Sequence, residues 1–275
     1  LRRTLIGSGV VVALLGGGVW LLGRESTLQQ IVAQVERRSG GNITVSGVTG
    51  SLYGRMHIAH IVYRSPESVL TIENVDINWS PLQYFSDGVA ISELHAASAV
   101  QQSIGPSKPP EMPASLAPPF RLRISDARLE RLSLVAADGT RNEVSAVRLQ
   151  LYGDSQRWQL KEASALTRFG RLDAAAEVAT RRPFALTGSA SLTQVLAAGA
   201  PAGQAAKLAA AVSGDLSVLT ARLTGTSPNA NGEGVLVLAP FDPVILRSAS
   251  LRARGVDPSR FDPAWPQASL DMALD

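Results

Sequence analysis

Between Ile43 and Ala96 apolar residues recur at every second position in short runs: Met56 and Ile58, Ile61 and Tyr63, Leu70 and Ile72, Val75, Ile77 and Trp79, Val89 and Ile91. Gly, Pro, Ser and Asp separate the runs. Alternation puts one set of side chains on one face of a strand, and the separators suit turns. The pattern predicts an antiparallel β-meander. It resumes at Leu122 and Ile124, at Val147, Leu149 and Leu151, and at Leu172, Ala174, Ala176 and Val178. It continues at Phe184, Leu186 and Ala190, then over Leu208 to Leu223 and Val235 to Ala253. Asp138-Gly139 is a hairpin-turn signal between two such runs.

A second spacing is laid over the first. Two apolar residues two apart are followed by a gap of three and another such pair. This occurs at Met56/Ile58/Ile61/Tyr63, Leu70/Ile72/Val75/Ile77, Val89/Ile91/Leu94/Ala96, Leu216/Val218/Ala221/Leu223 and Val244/Leu246/Ala249/Leu251. A gap of three reverses the face unless the strand absorbs an extra residue, so each gap predicts a β-bulge. Bulges that bend every strand alike would curl the sheet into a trough. The fold class expected is therefore mostly β, a curved antiparallel sheet that forms either an elongated open groove or a closed sandwich.

The segments around the strands read differently. Residues 4–23 carry no charge and are long enough to cross a bilayer as a helix, with Leu5, Val11 and Leu14 inside it. Trp20 suits the far interface, and Arg2 and Arg3 place the N-terminus in the cytoplasm. Residues 1–25 are thus expected to be an uncleaved membrane signal anchor, with everything after Arg24 on the far side of the bilayer. Residues 26–40 predict a short amphipathic helix that caps the sheet, with Leu28, Ile31, Val32 and Val35 on one face. Ser80-Pro81 starts one or two helical turns ending at Gly88. A first groove segment then covers 41–104. Residues 105–119 hold six prolines and predict a stiff, extended linker. The groove continues over 120–275, with a small-residue loop at 197–206 and a turn-rich tail from Val256 to Pro266. The chain starts at Leu1 and stops inside an alternating run, as a piece of a longer protein would.

Composition narrows the chemistry. Apolar residues make up 45 % and aromatics only 5 %, so any interior is aliphatic and rich in alanine. The net charge of +3 comes from cations scattered singly along strands, without the basic patch and stacking aromatics that nucleic acid requires. The absence of cysteine excludes disulfides, thiol nucleophiles and thiolate metal sites. No phosphate loop, G-x-S-x-G elbow or H-E-x-x-H motif occurs. His57 and His60, three apart on one strand, are expected on opposite faces, which argues against a shared metal. His95 has no evident partner in sequence. The carboxylates Glu73, Asp76, Glu93, Asp126 and Glu130 sit among arginines and read as cross-strand surface pairs. The expectation is a non-enzyme with no cofactor, no metal and no catalytic residue.

The stretch from Val45 to Met56 (VSGVTGSLYGRM), followed by Val75 to Leu82 (VDINWSPL), resembles the TamB family. These are the inner-membrane subunits of the translocation and assembly module, within the wider AsmA-like, bridge-like lipid transfer group. Leu238 to Pro243 and Gly255 to Pro258 fit the same style, and the order of anchor, helix, turns, proline-rich linker and strands follows it. The resemblance implies a periplasmic β-groove that carries phospholipid from the inner toward the outer membrane. It implies an outer-membrane barrel partner of the TamA type, reached through a C-terminal part not in this chain. It also brings an alternative function, a chaperone-like scaffold for outer-membrane protein and autotransporter assembly. The expected groove lining is Met56, Ile58, Leu70, Ile72, Val89, Ile91, Leu122, Ile124, Leu172, Ala174, Ala176, Phe184 and Leu186. Alanines there would leave room for acyl chains.

Overall fold

The structure is a computed structural model; it describes residues 40–51, 54–80, 88–104, 112–195, 205–256 and 270–274. The expected anchor with Leu5, Val11, Leu14 and Trp20, the helix before Gly40, the turn after Ser80, the loop at 197–204 and the tail from 257 lie outside these residues.

All regular structure among the described residues is β. In chain order the strands are β1 (Ile43–Gly50), β2 (Arg55–Arg64), β3 (Ser68–Trp79), β4 (Val89–Ser103), β5 (Leu122–Val135), β6 (Arg141–Gly153) and β7 (Arg157–Thr167). They are followed by β8 (Gly170–Ala179), β9 (Ala185–Thr193), β10 (Lys207–Asp215), β11 (Leu219–Thr226), β12 (Asn231–Leu238), β13 (Leu246–Val256) and β14 (Leu270–Leu274). Strand order is chain order throughout, a linear antiparallel meander. The mostly-β, open-sheet expectation holds. Short turns make this topology: Asp138, Asp154 and Asp215 each accept backbone N–H groups two or three residues on, which closes a tight corner between strands.

The chain forms two compact units. Unit 1 holds residues 1–106 and 124–142, and unit 2 holds 107–123 and 143–275. The part of the proline-rich segment from residue 112 therefore packs with unit 2.

Unit 1 shows what the gaps of three do. Ile58, Val75 and Ala96 form its buried cluster, and Val45, Val48, Ile61, Ile72, Met56, Ile77 and Leu94 pack against it. Val45 and Val48, Ile58 and Ile61, and Ile72 and Val75 are each three apart, yet both members of each pair reach the same cluster. Register explains it: Val48, Ile58, Val75 and Ala96 align in one row, and Val45, Ile61, Ile72 and Ala99 in another. Every strand takes up its extra residue at the same level, so neighbouring strands stay in step. At that level Gly47 (φ 67°) and Asn74 (φ 52°) adopt the left-handed conformation. Farther along, Ile91 and Leu94 flank a true bulge, where β4 gains a residue on β3 opposite Asn78 and Trp79.

The polar face of unit 1 corrects one expectation. His57 pairs with Asp76, and His60 with Glu73. The extra residue lies between the two histidines, so they share a face, where strict alternation would have separated them.

Unit 2 bulges too. β7 gains a residue on β8 between Leu160 and Ala163, where Glu162 has φ 50°, and β13 gains one on β12 between Leu246 and Ala249. The expected bulge in Leu216/Val218/Ala221/Leu223 does not form. Leu216 and Val218 belong to the β10–β11 turn, and β11 runs in unbroken register with both neighbours.

Candidate functional site

Register assigns each unit one apolar face. In unit 2 the rows across the strands are Trp158–Val178–Leu186–Gly214–Leu219–Leu238, Leu160–Ala176–Gly188–Val212–Ala221–Leu236, Ala163–Ala174–Ala190–Ala210–Leu223–Gly234 and Ala165–Leu172–Leu192–Leu208–Gly225–Gly232. Every residue in these rows is apolar or glycine. The alternate positions on β9 and β10 are Thr187, Ser189, Ser191, Lys207 and Ser213, with alanines between. One face is therefore aliphatic and the other polar, as an antiparallel sheet with one solvated side requires.

Among the described residues no strand of unit 2 stacks upon the aliphatic face. Its residues are mostly half-exposed, and Leu208, Leu246 and Leu251 are exposed. Full burial is confined to a few positions such as Leu219, Ala221 and Ala239. A sandwich would bury these side chains at interior density. The middle of the face is also low. Ala163, Ala174, Ala190 and Ala210 lie side by side, next to Ala176 and Gly188, and leucines and valines flank them.

Of the expected lining residues, Met56, Ile58, Leu70, Ile72, Val89 and Ile91 lie on unit 1's apolar face; Ile58 is buried and the others half-buried. Leu172, Ala174, Ala176 and Leu186 lie on unit 2's apolar face, half-buried. Leu122 and Ile124 are two apart on β5 and share one side of that strand. Phe184 differs. It precedes β9, has φ 59°, donates its N–H to Arg181 O at 2.8 Å and is 0 % exposed. It is a packing residue in the β8–β9 turn and offers no surface to a ligand. Alternation counted on large side chains passed over Gly188, Ala210, Val212, Gly232 and Gly234. Counting glycine as apolar recovers Gly188, because Thr187 and Ser189 alternate with it on β9, whereas on β10 Ala209 and Ala211 hide the phase of Ala210 and Val212.

On the polar faces Asp76, Glu93 and Glu130 make the expected cross-strand pairs, while Asp126 pairs along its own strand with Arg128. His57 Nδ1 lies 2.9 Å from Asp76 Oδ1, His95 Nε2 lies 3.3 Å from Glu130 Oε1, and Arg55 lies 3.7 Å from Glu93. His95 thus has the partner that sequence did not show. In unit 2 Gln159 donates to Glu177 at 2.7 Å and Arg157 donates to it at 3.2 Å, and together they hold its carboxyl below the usual range. A shallow cavity of about 300 Å³ on this face is bordered by Gln159, Lys161, Glu177, Thr187 and Ser189. Among the described residues no group of three or more His, Asp or Glu is placed to hold a metal ion.

The arrangement can lay hydrocarbon against hydrocarbon. Comparison with known proteins bears on this. No curated protein and no solved structure matches the chain. A family model does, over residues 11–241; it is described as YdbH-like, intermembrane phospholipid transport protein YdbH. That supports the expected bridge-like lipid transfer group without singling out TamB. With well over half of its length matched, the chain belongs to the YdbH-like family.

Proposed function

We propose that the chain carries phospholipid between membranes, with the acyl chains lying on the apolar faces of its sheets. The carrying observation is the unbroken aliphatic face of unit 2, which its own strands leave uncovered. Moving about thirty lipid methylenes into water costs roughly 25 kcal/mol at about 0.8 each. An apolar face of this kind offsets most of that cost with no bond made or broken, so the protein works as a conduit and not as an enzyme. Bulges that bend neighbouring strands alike would curl the sheet toward a groove, and the low middle row of alanines gives acyl chains space. The uncharged run at 4–23 would hold the protein in the inner membrane, with the sheets in the periplasm and lipid moving toward the outer membrane.

The test is capture in cells. A photo-reactive residue at Ile58 or Leu186 should crosslink to phospholipid. Capture of unfolded outer-membrane protein strands there, with no lipid, would replace this reading by the chaperone-like one. That alternative would bring in a TamA-type barrel as partner and would act by strand addition.

A further inference from the structure

The two long margins of unit 2's sheet, where its strands turn, are built differently over β7–β9. At one margin the segment from Met112 to Ala117 is bound to the strand ends. Trp158 Nε1 donates to Leu116 O at 2.8 Å, and Leu116 N donates to Thr180 O at 3.0 Å. The Arg182 guanidinium donates to Pro113 O at 3.1 Å and to Met112 O at 3.3 Å. Trp158 belongs to the apolar face, in the row of Val178 and Leu186, so the strap crosses on that side. Beneath it Thr180 and Phe184 are both 0 % exposed.

The opposite margin has exposed apolar groups. Phe169, at the tip of the β7–β8 hairpin, is 62 % exposed, Val195 is 65 % and Leu208 is 45 %. Register brings them together: Thr193 pairs with both Arg171 and Lys207, and Gly170 lies against Thr193 and Gln194. Two cations stand at this margin. Arg168 lies 4.5 Å from the centre of the Phe169 ring, and Lys207 begins β10; among the described residues neither has an acidic partner. Leu208 belongs to the row Ala165–Leu172–Leu192–Leu208–Gly225–Gly232, the apolar row nearest this margin, so the apolar face runs out to this edge.

We propose that phospholipid passes on and off unit 2's apolar face over the margin marked by Phe169 and Leu208, its phosphate meeting Arg168 and Lys207, because the strap latched by Trp158 closes the opposite margin. The ligand chemistry is an anion joined to hydrocarbon, and this margin carries both cations and exposed hydrocarbon. The inference rests on the lipid-carrying reading above.

The experiment places a photo-reactive amino acid at Phe169, at Ala117 in the strap, or at Ala190 in mid-face, in the full chain in cells whose phospholipid is phosphate-labelled. Label is expected at Ala190 and Phe169 and not at Ala117. Trp158→Phe keeps the ring but removes the N–H, and should bring label to Ala117; Arg182→Ala is the second route to the same release, should the first variant not fold. Arg168→Ser with Lys207→Ser should lower label at Phe169 several-fold while leaving that at Ala190 detectable. Label at Ala117 equal to that at Phe169 in the unaltered chain overturns the inference, as does label at Ala190 with none at Phe169. No label at Ala190 overturns the lipid-carrying reading itself.

Discussion

Ile58 and Ile61 stand three residues apart on β2 and still face the same side. Opposite the extra residue, Gly47 on β1 has φ 67°, and a methyl group on it would sit 2.5 Å from Ala59 Cβ. Gly47→Ala therefore meets two penalties, a left-handed backbone costing about 1–2 kcal/mol and a collision. Unit 1 should lose roughly 2–4 kcal/mol by urea unfolding. Adding Ala59→Gly should return the collision part and leave the backbone part. Gly139→Ala is the control: its φ is 84° but the space around it is open, so only the backbone penalty applies.

That row also shows how far the sequence could be read. Alternation of Ile, Val and Leu was enough to place the strands and the apolar face of unit 1, because bulky side chains mark their own positions. The gaps of three at Ile58/Ile61, Ile72/Val75, Ile91/Leu94 and Leu246/Ala249 were legible for the same reason. At Leu216/Val218 the same spacing was a turn, because Asp215 accepts the N–H groups of Ser217 and Val218 and ends the strand there. Bulges at Leu160/Ala163 and Val144/Val147 went unread, since alanine and a single valine carry too little contrast to mark a face. Phe184 was misplaced because a large apolar residue in phase with β9 is indistinguishable, in sequence, from one that turns inward just before it.

Thr180 tests the strapped margin from beneath. Its hydroxyl donates to Ser155 O at 2.6 Å and its N–H donates to Gln156 O at 2.9 Å, with the side chain fully buried. Thr180→Val preserves the shape but leaves the Ser155 carbonyl without this donor. The expected loss is about 1–3 kcal/mol in unit 2. Thr187→Val, on the exposed polar face, should fall within about 0.5 kcal/mol of the parent.

Acid should loosen the turns of unit 2. Asp154 Oδ1 accepts from Arg157 N at 2.9 Å and Gln156 N at 2.7 Å, and Asp215 Oδ1 accepts from Ser217 N at 2.7 Å and Val218 N at 3.2 Å. These donors hold both carboxyls below the ordinary aspartate value of about 3.9. A depressed folded pKa gives stability that is present above the unfolded value and lost as pH falls through the folded one. Thermal midpoints should therefore drop as pH falls below about 4. Asp154→Asn with Asp215→Asn should lower the midpoint at neutral pH and flatten that acid limb.

Ser189 and Ala190 are neighbours on β9 that belong to opposite faces, Ser189 exposed and Ala190 half-buried. That contrast separates a working apolar face from a merely structural one. Ala190→Arg sets a cation in the low alanine row, where an acyl chain would have to pass, and a guanidinium there must be desolvated against hydrocarbon. Because among the described residues no strand of unit 2 stacks on this face, the arginine can reach water in the free protein. The fold should survive with little change in midpoint, while phospholipid co-purifying with the chain falls at least several-fold. Ser189→Arg adds the same charge one residue away on the polar face and should leave both quantities unchanged. Ala190→Trp removes space without adding charge, and should also cut bound lipid while stability holds, since overpacking costs about 1–3 kcal/mol only where a second layer presses back. If Ala190→Arg and Ala190→Trp both unfold unit 2 as they would a closed core, the face is covered in solution and holds no lipid. If both fold and both retain lipid, the acyl chains lie somewhere other than the alanine row.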